Sequence, residues 1–545
     1  MADGRAGGLV GLGDWILARG KGQVFLLLFG LGGLAALALP PHDLFFFGLP
    51  GFAALGLLLH QAVDADRPLR RAFIVTFSFL FGYHVVGLAW ISQALLYDPE
   101  QFAWMIPFAI GGLSAIMAVI GALAGPLAVL PFLGRKGVSI PWLACTLAAA
   151  WICVEWLRGH LFTGFPWNPV GSVWSDVPAL LQGGSLIGVY GMTGLTVLAA
   201  TAFGTFLRTM RPVPALLPSM PLVLIGLWGL FRLDSAEISF VDGVVLRLVQ
   251  PNIPQAQKWD PTHMPANLAK QIALSRRAAA GFGGPGEAAL GPATHAIWGE
   301  TMVPYDVAGL AAAREALAQA VPSDGGLVIV GAPRRQQMVA PDGTSRVHAF
   351  NSLFAVDRQG EIRGQYDKAH LVPFGEYVPL AGVLDRLGLN PVVGTGFSPG
   401  PGLATLNLPG LPPVSPLICY EVIFPGRVLA DDQPRPDWIL NLTNDAWYGT
   451  SAGPYQHMAT ARWRAVEEGL PLVRVANTGI SGILDPWGRD VVRLDLVTEG
   501  WINGPLPRSL SPTFFALWGN ISAICLSILL GGFGLLGRRN SAYKP

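Results

Sequence analysis

The chain has 545 residues, enough for two or more domains. Hydrophobic residues make up 52% and charged residues 13%, against roughly 25% charged in ordinary soluble domains, which argues against a wholly soluble protein. The net charge of +1 gives no electrostatic case for a nucleic-acid partner.

A spanning helix needs about 20 mostly apolar residues. Such runs lie near residues 23–40, 45–63, 72–95, 104–133, 139–157, 180–207, 214–232 and 513–537, which predicts eight spans. The first run follows no clear small-residue cleavage site and reads as a retained anchor. Pro40, Pro41, His42 and Asp43 separate it from the second, which suits a tight turn. Basic residues cluster at alternate ends of the runs: Arg5, Arg19 and Lys21; Arg67, Arg70 and Arg71; Arg135 and Lys136; Arg208 and Arg211; Arg538, Arg539 and Lys544. Because Lys and Arg favour the cytoplasmic side, both termini are expected there and the long segment after the seventh run outside.

Within the runs, residues 30–33 and 531–534 are glycine-rich, as close helix packing requires. Glu155 sits in an apolar run, where an acid is costly; pairing with Arg158 is the first expectation and a polar cavity the second. Residues 162–171, FTGFPWNPVG, read as an interfacial loop. Cys145, Cys153 and Cys525 lie in apolar runs and read as packing residues, leaving Cys419 as the one cysteine of the outer segment.

From Val244 the texture changes to short strands alternating with helices. Strands are predicted at 244–250, 294–300, 326–332, 348–357, 361–366, the run before Cys419, 438–442, 472–476 and 481–484. Helices are predicted at 265–280, 307–321 and 456–469. Residues 348–357 and 361–366 form a hairpin closed near Gln359 and Gly360. The pattern predicts a layered α/β domain with its chemistry at strand ends.

Three residues stand at such ends: Glu300 in AIWGETMVPY, Lys368 in YDKAHLVPFGEYVP and Cys419 in PLICYEVIFP. Exported proteins usually pair their cysteines, so a lone outer thiol is a liability unless it is buried or used. A thiol attacks an acyl carbon as thiolate and needs a base, which a partly desolvated Glu300 can be. The oxyanion that forms needs a cation and backbone N–H donors, which Lys368 and the amide after Cys419 can supply. The product is a thioester that a second nucleophile opens. His295, His348, His370 and His457 lie on separate elements without ligand spacing, so no metal and no cofactor are expected.

Glu300, Lys368 and Cys419 in this order resemble the nitrilase (carbon–nitrogen hydrolase) superfamily. The strings YDKAHLVPFGEYVP, ICYEVIFP and NLTNDAWYG, with an N-terminal membrane bundle and a C-terminal span, resemble the apolipoprotein N-acyltransferase family over essentially the whole chain. The resemblance implies a membrane bundle of about eight helices carrying a nitrilase-like αββα sandwich, divided as 1–232, 233–510 and 511–545. It implies a monomeric, multi-pass protein of a bacterial inner membrane, with the catalytic domain in the periplasm. Its partners would be membrane lipid, a phospholipid acyl donor and a diacylglyceryl apolipoprotein acceptor. Cys419 would take an acyl chain from the sn-1 ester of a phospholipid, typically phosphatidylethanolamine, and pass it to the acceptor's N-terminal amine. Glu376 in FGEYVP would orient Lys368 and the nucleophile. Trp259, Asn351, Tyr420, Glu421 and Trp447 match family positions near the substrate. The base motif departs from the pattern: proline is expected where Gly299 stands and a small residue where Thr301 stands.

Two other readings use the same residues. A membrane-tethered amidase or nitrilase would open the thioester with water. A transporter with an inactive sensor domain would need intramembrane charges along a pathway, and Glu155 is the chief one present. Apolar residues 374–383 and 387–397 are candidate lids against the bilayer.

Overall fold

The apolar runs fold as helices and the alternating ones as two sheets. The computed structural model describes residues 20–135, 138–209, 212–277, 291–339, 345–379 and 396–540. Residues 380–383 and 387–395 of the candidate lids lie outside that set. The chain divides into two compact units, Met1–Ala236 with Ser451–Glu467 and Pro512–Pro545, and Glu237–Thr450 with Glu468–Ser511.

In the first unit, six helical stretches among the described residues are long and apolar enough to cross a membrane: Phe45–Ala62, Pro68–Gly87, Pro99–Phe132, Ile140–Arg158, Gly184–Leu207 and Leu216–Asp234. Lys21–Ala36 and Ile521–Leu536 are shorter apolar helical stretches. The 16 residues of Lys21–Ala36 rise about 24 Å, less than the roughly 30 Å hydrocarbon core, whereas the last helix runs from Ile521 to Asn540, 20 residues in all. Six of the eight expected runs meet both the length and the hydropathy of a span among the described residues. This is a multi-pass membrane protein. Of the expected glycines, Gly32 and Gly534 sit at close helix contacts, while a Cβ on Gly30 or Gly532 would meet nothing within 4 Å. A Cβ on Gly32 would fall 1.8 Å from the Phe79 carbonyl oxygen, and one on Gly82 would fall 1.9 Å from that of Phe29. Only glycines let these two helices touch backbone to backbone.

Glu155 is resolved differently from the first expectation. Oε1 accepts from the Trp151 indole at 3.2 Å and the Val170 amide at 2.9 Å, and Oε2 from the Thr193 hydroxyl at 2.7 Å. Arg158 donates instead to the Trp167 carbonyl at 2.7 Å. Both line a small cavity with Tyr83 and His84. Neutral donors satisfy the acid at less cost than an ion pair held rigid in a dry bundle.

The second unit holds eleven strands among the described residues: β1 Phe240–Gln250, β2 His295–Trp298, β3 Val328–Val339, β4 Ser345–Val356, β5 Ile362–Asp367, β6 Val414–Ile418, β7 Trp438–Thr443, β8 Leu472–Ala476, β9 Ser481–Leu484, β10 Asp490–Leu494 and β11 Gly500–Pro507. They form a six-stranded sheet, β11-β1-β2-β3-β4-β5, and a five-stranded sheet, β10-β9-β8-β7-β6. Alternation along the strands builds the layers. Leu246, Leu248, Ile297, Ile329, Leu353 and Ala355 face Leu440, Leu442, Val473, Val475 and Ile483 in one core between the sheets. The residues between them, including Ala296, Trp298, Val328, Val330 and Phe354, pack with Leu274 and Leu317 of helices Met264–Arg276 and Ala311–Ala318. β4 and β5 pair antiparallel around Gly360, whose φ of +79° suits the turn there. The helix predicted at 456–469 is Gly453–Glu468, and residues through Glu467 belong to the first unit. β10 and β11 were not predicted; the asparagine, glycine and prolines of GWINGPLP hide an edge strand that pairs with β1.

Candidate active site

β2 ends at Trp298, and the chain turns through Gly299, Glu300 and Thr301. A Cβ at 299 would lie 2.9 Å from the Thr443 carbonyl oxygen and 3.2 Å from the Ala476 carbonyl carbon, so glycine suits this close crossing. The Glu300 amide donates to that Thr443 oxygen at 3.3 Å, and Thr301 takes a φ of +46°. β6 ends at Ile418, and Cys419 takes a φ of +54° before the short 3-10 turn Cys419–Ile423. A non-glycine residue in that region stores about 1–3 kcal/mol of strain. Two contacts hold it: Asn441 Nδ2 reaches the Cys419 carbonyl at 3.3 Å, and Glu421 Oε2 accepts the Ile418 amide at 2.7 Å.

The carboxylates and the lysine meet directly. Lys368 Nζ donates to Glu376 Oε1 at 2.9 Å and lies 3.5 Å from Glu300 Oε1. Asn351 Nδ2 bridges the two acids, at 2.7 Å to Glu300 and 2.9 Å to Glu376. Glu376 Oε2 accepts the Val372 amide at 2.8 Å. Lys368 is 1% exposed and Glu300 7%, so each charge sits in a medium where its neighbours count heavily.

Burial pushes the Cys419 thiol up to about 12; Glu300 adds to the rise, while Lys368 and the Thr443 hydroxyl oppose it. Burial alone would lower the Lys368 ammonium, but Glu376 and Glu300 hold it above the usual lysine range. The resting pair is therefore a neutral thiol and a charged lysine. Attack by sulfur must be coupled to proton removal, and an adjacent carboxylate can accept that proton.

The other expected positions separate into two groups. Glu421 is 1% exposed and fully engaged. Besides the Ile418 amide it accepts the Tyr366 hydroxyl at 2.8 Å and the Ala369 and His370 amides at 2.8 and 3.0 Å. It thus ties the end of β6 to the loop after Lys368. Tyr420 is also buried, with its ring against His370 and Phe424. Trp259 and Trp447 are 42% and 41% exposed and open to solvent.

Sequence reading missed a polar layer beneath the thiol. Arg474 on β8 is wholly buried; it pairs with Asp445 at 2.7 Å and donates to Asn441. Asp445 Oδ1 accepts the Thr443 hydroxyl at 3.0 Å. The signal was present in NLTND, where polar side chains interrupt an otherwise apolar strand. Lys258 was missed too: its Nζ donates to the Glu300 carbonyl at 2.9 Å and to Thr301 Oγ1 at 2.7 Å.

Comparison with known proteins fits this scaffold. Residues 246–511 match the carbon–nitrogen hydrolase family model, which sets the class of the second unit. An amidase of the nitrilase superfamily from Nesterenkonia AN1 is 19% identical, covers 52% of this chain and 96% of its own, and has a TM-score of 0.33. Residues 31–202 match the model for the apolipoprotein N-acyltransferase N-terminal domain. The apolipoprotein N-acyltransferases of Rhodopseudomonas palustris and Brucella melitensis are 39% and 37% identical to the chain, each over 96% of it and over 97% and 98% of their own lengths. The chain belongs to the apolipoprotein N-acyltransferase family.

Proposed function

We propose that this protein acylates the N-terminal amine of diacylglyceryl-cysteine on apolipoproteins, by a ping-pong reaction through a thioester on Cys419. The observation that carries the reading is the buried Glu300–Lys368–Glu376 network bridged by Asn351, beside a thiol on a strained elbow. In the first half, the Cys419 sulfur attacks the sn-1 ester carbon of a phospholipid such as phosphatidylethanolamine while Glu300 takes the thiol proton. Lys368 and backbone N–H groups stabilise the oxyanion. The carbon–oxygen ester bond then breaks, and the leaving lysophospholipid oxygen collects the proton from Glu300. In the second half the acceptor amine attacks the thioester, Glu300 takes its proton, and the sulfur leaves and is reprotonated. Glu376 orients Lys368. Glu421 serves as a brace for the elbow rather than as a substrate contact. Trp259, Trp447, Tyr420 and Asn351 shape the substrate region.

Both substrates carry fatty chains that cost about 0.8 kcal/mol per CH₂ to move into water, which accounts for a catalytic domain on a membrane bundle. In this reading residues 1–232 are the bundle, 233–510 the periplasmic catalytic domain and 511–545 the last span and tail. The protein is a monomer of a bacterial inner membrane with both termini cytoplasmic. The test is intact-protein mass after incubation with phosphatidylethanolamine. One acyl group should be gained by the parent, none by Cys419→Ala, and a diacylglyceryl peptide should discharge it. No adduct on a folded parent, with turnover of small amides, would replace the transferase by a tethered amidase.

A further inference from the structure

Lys258 closes the one-turn helix Gln255–Lys258 and is 3% exposed. An ammonium buried this deeply normally sits against a carboxylate. Among the described residues Lys258 has none: its two acceptors are neutral, the Glu300 carbonyl at 2.9 Å and the Thr301 hydroxyl at 2.7 Å. Those two atoms belong to the turn that aims the Glu300 side chain, and Thr301 is held there at a φ of +46°. The segment carrying the lysine is itself anchored. The Ile253 amide donates to Asn477 Oδ1 at 2.9 Å, and Asn444 Nδ2 donates to Gln255 Oε1 at 3.0 Å.

Charge arithmetic gives the cation a purpose. By formal charge, Glu300 and Glu376 outnumber Lys368 by one. Proton transfer from the thiol to Glu300 moves a negative charge onto the sulfur or oxyanion and leaves that excess in place. A second ammonium balances the site before the reaction begins.

We infer that Lys258 is a positioning residue of the acyl-transfer site, holding the Glu300 turn through its carbonyl and Thr301 and supplying the second positive charge felt by the thiol. The inference rests on the catalytic roles proposed above for Glu300 and Cys419. Burial lowers the Lys258 ammonium to about 8, with Glu300 and Cys419 acting against that fall. The cation is thus present at neutral pH and is lost as pH rises above that value. The titratable groups facing it are Glu300 on the turn after β2 and Cys419 after β6.

The experiment uses the full chain in detergent, with folding checked by circular dichroism, and compares the parent with Lys258→Met, Lys258→Arg and Thr301→Val. Two readouts are taken. One is the rate of acyl-adduct formation from phosphatidylethanolamine. The other is iodoacetamide alkylation of Cys419, followed by peptide mass against pH, which needs no lipid. Lys258→Met should slow adduct formation about ten- to a hundredfold, and should slow alkylation several-fold at pH 7 but not at pH 10, where the parent lysine is already neutral. A general packing defect would not converge with pH in this way. Lys258→Arg should match the parent's alkylation at pH 7 and exceed it at pH 10, where the guanidinium keeps the charge that the lysine has lost. Thr301→Val, which removes an acceptor but no charge, should slow adduct formation about three- to tenfold and leave alkylation unchanged; it keeps the inference testable should Lys258→Met fail to fold. Adduct formation and alkylation within twofold of the parent in the folded variants would overturn the inference. A parent that takes no acyl chain, while Lys258→Met still shifts alkylation at pH 7, would overturn the proposed reaction and leave the role of Lys258 in the thiol's field standing.

Discussion

Glu155 and Glu300 are both buried acids at or near the end of an apolar element, one in each unit, and the surroundings of each decide what it can do. Glu155 accepts three neutral hydrogen bonds, from an indole, an amide and a hydroxyl. Glu300 shares a lysine and an asparagine with a second acid, beside a thiol. The first arrangement is saturated and has no reason to move a proton. The second concentrates opposing charges whose balance changes when one proton moves. Burial of an acid is therefore a poor guide to function, and the kind of partner is a better one.

The sharpest test of that contrast is removal of the groups on the catalytic side. Cys419→Ala should retain the fold and lose acyl transfer by at least about 10⁴-fold, since no other nucleophile stands in its place. Lys368→Met should cost about 10³-fold in transfer. It should also lower stability by about 3–5 kcal/mol in chemical denaturation, because it leaves two buried carboxylates without their cation. Retained activity in Lys368→Met would remove the oxyanion role and weaken the comparison at its base.

Glu421→Gln probes the brace. The native carboxylate collects four donors from two segments, and an amide offers one acceptor oxygen in place of two. Transfer should fall about 10–100-fold with a stability loss of about 1–3 kcal/mol. A variant with unchanged turnover would show that the elbow at Cys419 holds its strained φ without help from the lysine loop.

The thiol's proton gives a smaller and cleaner signal. With the Cys419 thiol raised to about 12 by burial and Glu300, its thiolate fraction should grow about tenfold per pH unit through the alkaline range. Alkylation of Cys419 in lipid-free protein should therefore climb from pH 7 to 10 without a plateau. Levelling below pH 8 would mean a preformed thiolate–lysine pair and would remove the need for Glu300 as base in the first half-reaction.

Much of this was legible in the chain. Apolar runs fixed the helices because about 20 such residues have no comfortable place in water, and period-two alternation fixed the central strands. The residues proposed to carry the chemistry were visible where a reactive type followed a strand, as with Glu300, Lys368 and Cys419. Those that support them were not. Lys258, Asp445 and Arg474 are charged residues in stretches that read as ordinary loop or strand, and only tertiary placement shows that each is buried. β11 escaped for a related reason: its pairing with β1 comes from residues some 250 positions away, and its prolines contradict local strand preference. Glu155 was visible but its partner was misjudged. Arg158 is three residues away in sequence, while Val170 and Thr193 come to it only by folding.

The mildest change belongs to the membrane unit. Glu155→Gln keeps the size of the side chain and one acceptor oxygen. It removes the other acceptor and places an NH₂ against the Thr193 hydroxyl or against the Trp151 and Val170 donors. The hydroxyl can rotate to accept from the new amide, whereas the indole and backbone N–H cannot. The amide should therefore settle with its oxygen toward Trp151 and Val170, and the cost should stay near 1 kcal/mol. Thermal unfolding in detergent should show a small downward shift, and acyl transfer should remain within about threefold of the parent. Glu155→Leu, which strands all three donors, should be clearly less stable while its folded fraction stays active. If Glu155→Gln instead lost transfer by a hundredfold with its fold intact, the acid would be working rather than structural, and the distinction between saturated and opposed networks would fail for this protein.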